Sequence, residues 1–173
     1  MVRSSSYRSF YLIQLVWFAL CLLAIAPPVA LADDPDRTLG DILSSAESCF
    51  EAMKTKDYQG IWKTLSAASR NTIVDETRKS ITRAGGMEVP KEEVRRDFDE
   101  GGPIARGYWY GFLLQFNPDL ILEQSRWEKG PIGSDRAEIL ITYKKAEKPA
   151  ILKLFREDGG WKVGLVETFW GRK

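Results

Sequence analysis

The stretch TLGDILSSAESCFEAMKTKDYQGIWKTL, Thr38 to Leu65, decides the fold. Its apolar residues fall first at Leu39, Ile42, Leu43, Ala46, Phe50 and Met53. That spacing follows a period of about 3.6 and predicts one long amphipathic helix, Thr38–Lys56. Thr38 with Asp41 three residues on resembles a capping box, Asp standing where Glu or Gln is usual. The pattern re-phases at Lys54–Asp57. Tyr58, Ile61, Trp62 and Leu65 then form a new stripe, which predicts a second, shorter helix, Tyr58–Leu65. Helices this apolar on one side need a covering layer, and the C-terminal third supplies one.

From Leu120 the period falls to two. Strands are expected at Leu120–Lys129, ended by Gly130-Pro131, and at Arg136–Lys145, where Ala137, Ile139, Ile141 and Tyr143 share one face. Two more are expected at Ala150–Glu157 and Trp161–Trp170, joined by the hairpin turn Asp158-Gly159-Gly160. Short links between successive strands imply an antiparallel meander. Between the two ends, Ser66 can cap a helix over Ala67–Arg83 that Gly85-Gly86 terminates. Pro90 can open another, Lys91–Asp99. Gly101-Gly102-Pro103 is a break. Ile104–Phe116 is apolar nearly all round, which fits either a well-buried helix or one lining a cavity, and Asn117-Pro118-Asp119 stops it. Helices first and antiparallel strands later is the α+β pattern, with N-terminal helices packed on one face of a curved antiparallel sheet.

The N-terminus has the three parts of an export signal. Arg3 and Arg8 precede an apolar run, Phe10–Ala26, interrupted only by Gln14. Pro27-Pro28 end it, and Ala30-Leu31-Ala32 is a small–x–small cleavage pattern. The expectation is a periplasmic or secreted protein with residues 1–32 removed and 33–173 forming a single domain. An uncleaved anchor is the alternative, because the run exceeds the usual length of about 7–15 residues; membrane contact is then confined to that segment.

Loss of Arg3 and Arg8 leaves 23 basic against 24 acidic residues. That balance offers no bulk attraction for nucleic acid. Histidine is absent, which excludes serine–histidine chemistry and, with no cysteine pair after cleavage, argues against zinc. No phosphate-binding glycine loop is present, and no cofactor is expected. Asp97, Asp99 and Glu100 beside Gly101 lack the spacing of a calcium loop and read as a solvated helix end. Cys49, beside Phe50, reads as a small buried hydrophobe rather than a reactive thiol.

Two stretches carry a resemblance. Phe50–Ser66 has a helix ending at a charged-Asp-aromatic break, Lys56-Asp57-Tyr58, followed by a second helix. Phe155-Arg156-Glu157-Asp158-Gly159-Gly160-Trp161-Lys162-Val163 is similar to a terminal hairpin. Together they resemble the NTF2-like superfamily, the cone-shaped α+β fold shared by ketosteroid isomerases, SnoaL-like proteins and many small exported domains. The segment Met87–Phe116 is longer and more helical than the family's compact middle. The resemblance implies a fold, sometimes paired into a homodimer through its sheet, and does not transmit a chemistry. Isomerases of this fold use an acidic base in an apolar cone, and no such catalytic set aligns here residue by residue.

The aromatic load is heavy: Trp62, Trp109, Tyr110, Phe112, Trp127, Tyr143 and Trp161. Such side chains either dominate a core or line a pocket for an apolar small molecule. The residues assigned to that pocket are Tyr58, Trp62, Trp109, Tyr143 and Glu167. Glu167 is included because it would be the one carboxylate on the odd-numbered face of Trp161–Trp170, among Trp161, Val163, Leu165 and Phe169; a solvated place at the strand's rim is the alternative. The function expected is an exported non-enzymatic domain binding a small apolar ligand or a protein partner in the cell envelope. A cofactor-free enzyme of the ketosteroid-isomerase or SnoaL kind, and a dimerising structural module, are the alternatives. A cavity filled by the chain's own side chains favours the first, and a carboxylate buried deep in one favours the second.

Overall fold

The computed structural model describes residues 35–170; the expected leader and its cleavage site lie outside them. Seven helices and four strands follow in order: α1 Pro35–Thr55, α2 Tyr58–Thr64, α3 Ala67–Arg83, α4 Lys91–Glu100, α5 Pro103–Leu113, α6 Pro118–Leu122, β1 Ser125–Ile132, β2 Arg136–Tyr143, β3 Ala150–Glu157, β4 Gly160–Gly164 and α7 Leu165–Phe169. The class is α+β. The strands form one antiparallel sheet in sequence order, β1-β2-β3-β4.

The α1 stripe is buried as its period requires. Ile42, Ala46, Cys49, Phe50 and Met53 are withdrawn from solvent. The helix starts at Pro35 rather than at Thr38, so the expected capping box does not form: proline fits a first helical turn, where its missing N–H is not needed. Lys56 adopts a left-handed conformation (φ 57°) that breaks α1 from α2, and the Asp57 carboxylate caps α2 by accepting from the Gly60 N–H at 2.9 Å. Lys54 reaches across to α6 with Nζ 2.5 Å from Glu123 and 3.1 Å from Asp119. The hydrogen bonds to Glu123 and then Asp119 hold its ammonium protonated beyond the ordinary lysine range.

On the sheet, Ala137, Ile139, Ile141, Leu152, Leu154, Trp161 and Val163 face the helices and are buried. Their alternates, Glu138, Leu140, Lys153 and Phe155, face outward and are partly or fully exposed. The β3–β4 turn places Asp158 at φ 51° and Gly159 at φ 77°. Two consecutive positive φ values make a type I′ turn, which suits the twist of a two-residue hairpin.

Two expected strands differ. Leu120–Leu122 is helical, not the start of a strand: Asn117 accepts from the Asp119 N–H at 2.9 Å and Pro118 opens the turn. Strand β1 therefore begins at Ser125, and it runs through Gly130-Pro131 to Ile132 with a register shift there. An edge strand tolerates a bulge and a proline that an inner one would not. Strand β4 stops at Gly164, and the predicted Trp161–Trp170 strand turns into α7. Ser66 fixes that turn. Its N–H bonds the Val163 carbonyl at 2.9 Å, so the chain at Leu65–Ser66 lies along β4. The Ser69 hydroxyl receives the Val166 N–H at 3.0 Å. The side-chain alternation is correct as far as Val163 and is then overridden by these bonds.

Candidate functional site

Helix α5 sits where a sharp corner leaves it. Gly101 adopts φ 66°, and the Asp97 carboxylate accepts the Ala105 N–H at 2.7 Å, capping α5 from α4. The neighbouring Asp99 accepts the Trp62 indole N–H at 2.6 Å. Asp99 and Glu100 are exposed, as a solvated helix end requires, while Asp97 and Asp99 also accept bonds from both sides of the corner. Among the described residues no group of three or more His, Cys, Asp or Glu could hold a metal ion.

From that corner a chain of rings runs through the helical layer. Trp62 stacks on Phe98 at 4.6 Å, Phe98 meets Tyr108 edge-on at 5.4 Å, and Tyr108 meets Trp109 at 5.0 Å. Trp109 meets Phe112 at 5.7 Å and Phe112 stacks on Phe116 at 5.2 Å. The chain continues inward to Phe50 and Trp127 and outward to Phe169 and Trp170. Edge-on and offset contacts of this kind are the favoured aromatic geometries.

The helix that carries most of those rings is poorly covered. In α5 only Ala105 and Trp109 are fully buried. Tyr110 is 59% exposed, and Leu114, just past the helix end, is 70% exposed. Of the two expectations for this segment, deep burial is therefore wrong: one stripe meets the core and the rest does not. The flank turned toward α3 and α7 lines an open groove in three adjoining stretches, all touching Tyr108. The first, about 440 Å³, runs past Thr77, Ile81, Ile104 and Gly107. The middle one, about 410 Å³, has Thr72, Ile73, Glu76, Val166 and Trp170. The last, about 400 Å³, has Gly111, Phe112, Phe116, Phe169 and Trp170. Gly107 and Gly111 leave open space where a side chain would stand. Burial holds the Tyr108 phenol well above the usual tyrosine range, so its hydroxyl stays protonated. Thr77 Oγ1, beside the groove, and Trp109 Nε1, beneath it, are buried without a hydrogen-bond partner.

None of the five residues assigned from sequence lines these three stretches. Trp62 and Trp109 are core. Tyr58 opens α2 and is half-buried, and Tyr143 ends β2 opposite Ser125. Glu167 is on α7, not on a strand, so the odd-numbered apolar face that singled it out ends at Val163. Its carboxylate accepts the Ser66 hydroxyl at 2.9 Å and also the Ser69 hydroxyl, at the N-terminus of α3 where negative charge is favoured. That is a fastening between two helices. The residues missed are Tyr108, Glu76 and Trp170. The signal for them was the all-round apolarity of Ile104–Phe116, which marks a helix with a second partner to meet.

A smaller, polar cleft of about 300 Å³ lies between α1 and the β3–β4 hairpin, lined by Asp41, Ser44, Ser48 and Arg156. Among the described residues no helix is long and apolar enough to cross a membrane. No family model, no curated protein and no solved structure matches this chain.

Proposed function

We propose that this chain is an exported, non-enzymatic binding domain that holds a small elongated apolar ligand in the open groove between α3, α5 and α7. One observation carries it: the α5 flank with Ile104, Gly107, Tyr108, Gly111 and Phe112 is left uncovered by α3 and α7 and lines three adjoining open stretches that share Tyr108. Grooves lined by aromatic and aliphatic side chains with few polar groups suit such ligands. The space between the helices and the sheet is occupied by Phe50, Trp62, Phe98, Trp109, Ile139 and Leu154, which favours a binder over an isomerase with its pocket in the cone. Glu167, the carboxylate an isomerase reading would need, is held by two serines instead.

The NTF2-like resemblance is supported by the α1–α2 break at Lys56-Asp57 and by the Asp158-Gly159 hairpin. Export is supported by the N-terminal pattern, and N-terminal sequencing of the protein taken from its own cell should begin at Asp33; a start at Met1 or Val2 overturns it.

The groove itself is tested with 1-decanol displacing the neutral fluorophore N-phenyl-1-naphthylamine. Gly111→Leu should block the last stretch and weaken both by about tenfold or more, since each buried methylene contributes about 0.8 kcal/mol. Its Cβ meets nothing within 4 Å, so the helix accepts it. Unchanged binding in that variant removes the groove as the site.

A further inference from the structure

The middle of the groove has a particular chemistry. There one carboxylate, Glu76, lines the same open stretch as Tyr108 and Trp170. Among the described residues no lysine or arginine lines any of the three stretches, and Glu76 is their only charged residue. Aromatic faces and a carboxylate attract the same kind of group, a positive charge that gives up water readily. Glu76 already gathers cations from its own helix, with Lys79 Nζ at 3.0 Å and Arg83 Nη2 at 3.9 Å. All three side chains are more than half exposed. Pairs of that kind are weak and exchange with solvent ions, so they do not bar a better-placed cation. Tyr108 adds no second acid. Burial keeps its phenol protonated, and the ring offers a neutral face. Among the described residues the last stretch, which shares Trp170, is apolar apart from Gln115 and carries no charge. Its α5 part, Tyr108 to Phe112, spans roughly 6 Å at the helical rise of about 1.5 Å per residue, and Gln115 and Phe116 carry it past the helix end.

Resting on the groove being a ligand site, we propose that its ligand is a single-chain organic cation. The ammonium sits between Glu76, Tyr108 and Trp170, and the alkyl tail lies along Phe112 and Phe116 toward Phe169. Charge complementarity picks the head group and the uncharged last stretch receives the tail. A fatty acid would bring a second carboxylate against Glu76, whose own pairs with Lys79 and Arg83 are exposed and weak. A neutral chain would leave the aromatic–carboxylate corner unused.

The experiment is calorimetric titration of the purified protein with n-decyltrimethylammonium, 1-decanol and decanoate, each below its aggregation threshold. The cation should bind about tenfold tighter than the alcohol, a gap in the range of a desolvated cation–π contact with an added weak ion pair. Decanoate should bind weaker than the alcohol, and raised salt should narrow the gap between cation and alcohol. Glu76→Gln lies on an exposed helix surface and should bring cation and alcohol to within about threefold of each other. Trp170→Ala should weaken the cation more than the alcohol. Equal binding of all three probes, or a cation preference that survives Glu76→Gln, overturns the cation assignment and leaves the groove as an apolar site. No binding of any probe overturns both.

Discussion

Trp62 is buried on every side, stacked on Phe98 at 4.6 Å and bonded through its indole N–H to Asp99. Truncation to Ala should cost about 3–5 kcal/mol, measured by urea unfolding; a loss below about 1 kcal/mol would mean that the second helix does not cover the core. Cys49 makes a different test. Burial, the larger effect, pushes its thiol up to about 12 against a lowering hydrogen bond from Thr64. The unfolded thiol ionises near the ordinary value of about 8.5. The folded state therefore keeps its proton longer, and the thiol's contribution to stability is present below about 8.5 and is lost as pH rises through that value toward 12. Wild type should lose about 2 kcal/mol relative to Cys49→Ala between pH 8 and pH 10, at about 1.4 kcal/mol per unit. A difference that stays flat across that range would place the thiol in contact with water. Trp62 was legible as core from helical phase, although it was also assigned to the ligand pocket, and Cys49 was legible from its place beside Phe50. The Asp99 partner of Trp62 was not, since it lies 37 residues away across a corner that no local pattern encodes.

At the scale of elements, boundaries marked by chemistry were legible and boundaries set by tertiary bonds were not. Helix α3 begins at Ala67 after the Ser66 cap, whose hydroxyl accepts the Ser69 N–H at 3.0 Å, and it ends before Gly85. Those signals sit in the sequence. The end of β4 does not. Leu165 to Phe169 keeps the alternation of a strand, yet Ser66, Ser69 and Glu167 bond it into a helix. Glu167→Gln should cost about 1.5–3 kcal/mol, the range for hydrogen bonds to a charged group, and a double-mutant cycle with Ser69→Ala should show the two to be coupled. Additive losses would mean that the carboxylate and the hydroxyl act apart. The groove was half legible. All-round apolarity in Ile104–Phe116 predicted a helix with a second surface to satisfy, but Glu76 and Trp170 come from elements that sequence order separates from it. Gly111 is half-buried in the last turn of α5 with open space at its Cβ, so Gly111→Ala should raise stability by up to about 0.8–1.0 kcal/mol in urea, the helix-interior value. A neutral or negative effect would show a close approach at that position.

For the whole molecule, the ring chain from Trp62 to Trp127 ties the helical layer to the sheet. Unfolding in urea should therefore be a single transition, coincident by far-ultraviolet circular dichroism and by tryptophan fluorescence, as two-state domains of this size behave. Separated midpoints would reveal two independent layers. The class was legible from the order of periodicities, 3.6 first and two later. The curvature of the layers around an open groove was not, because it depends on how far α5 stands from α3. The sheet has one more consequence. Its β4 edge is lined by the Leu65–Ser66 backbone, and past the end of β4 the Thr168 hydroxyl takes the Lys153 N–H of β3 at 3.0 Å. Its β1 edge is interrupted by the Gly130-Pro131 bulge, where the proline has no N–H to offer. A molecule closed in this way gives an incoming strand poor purchase at either margin.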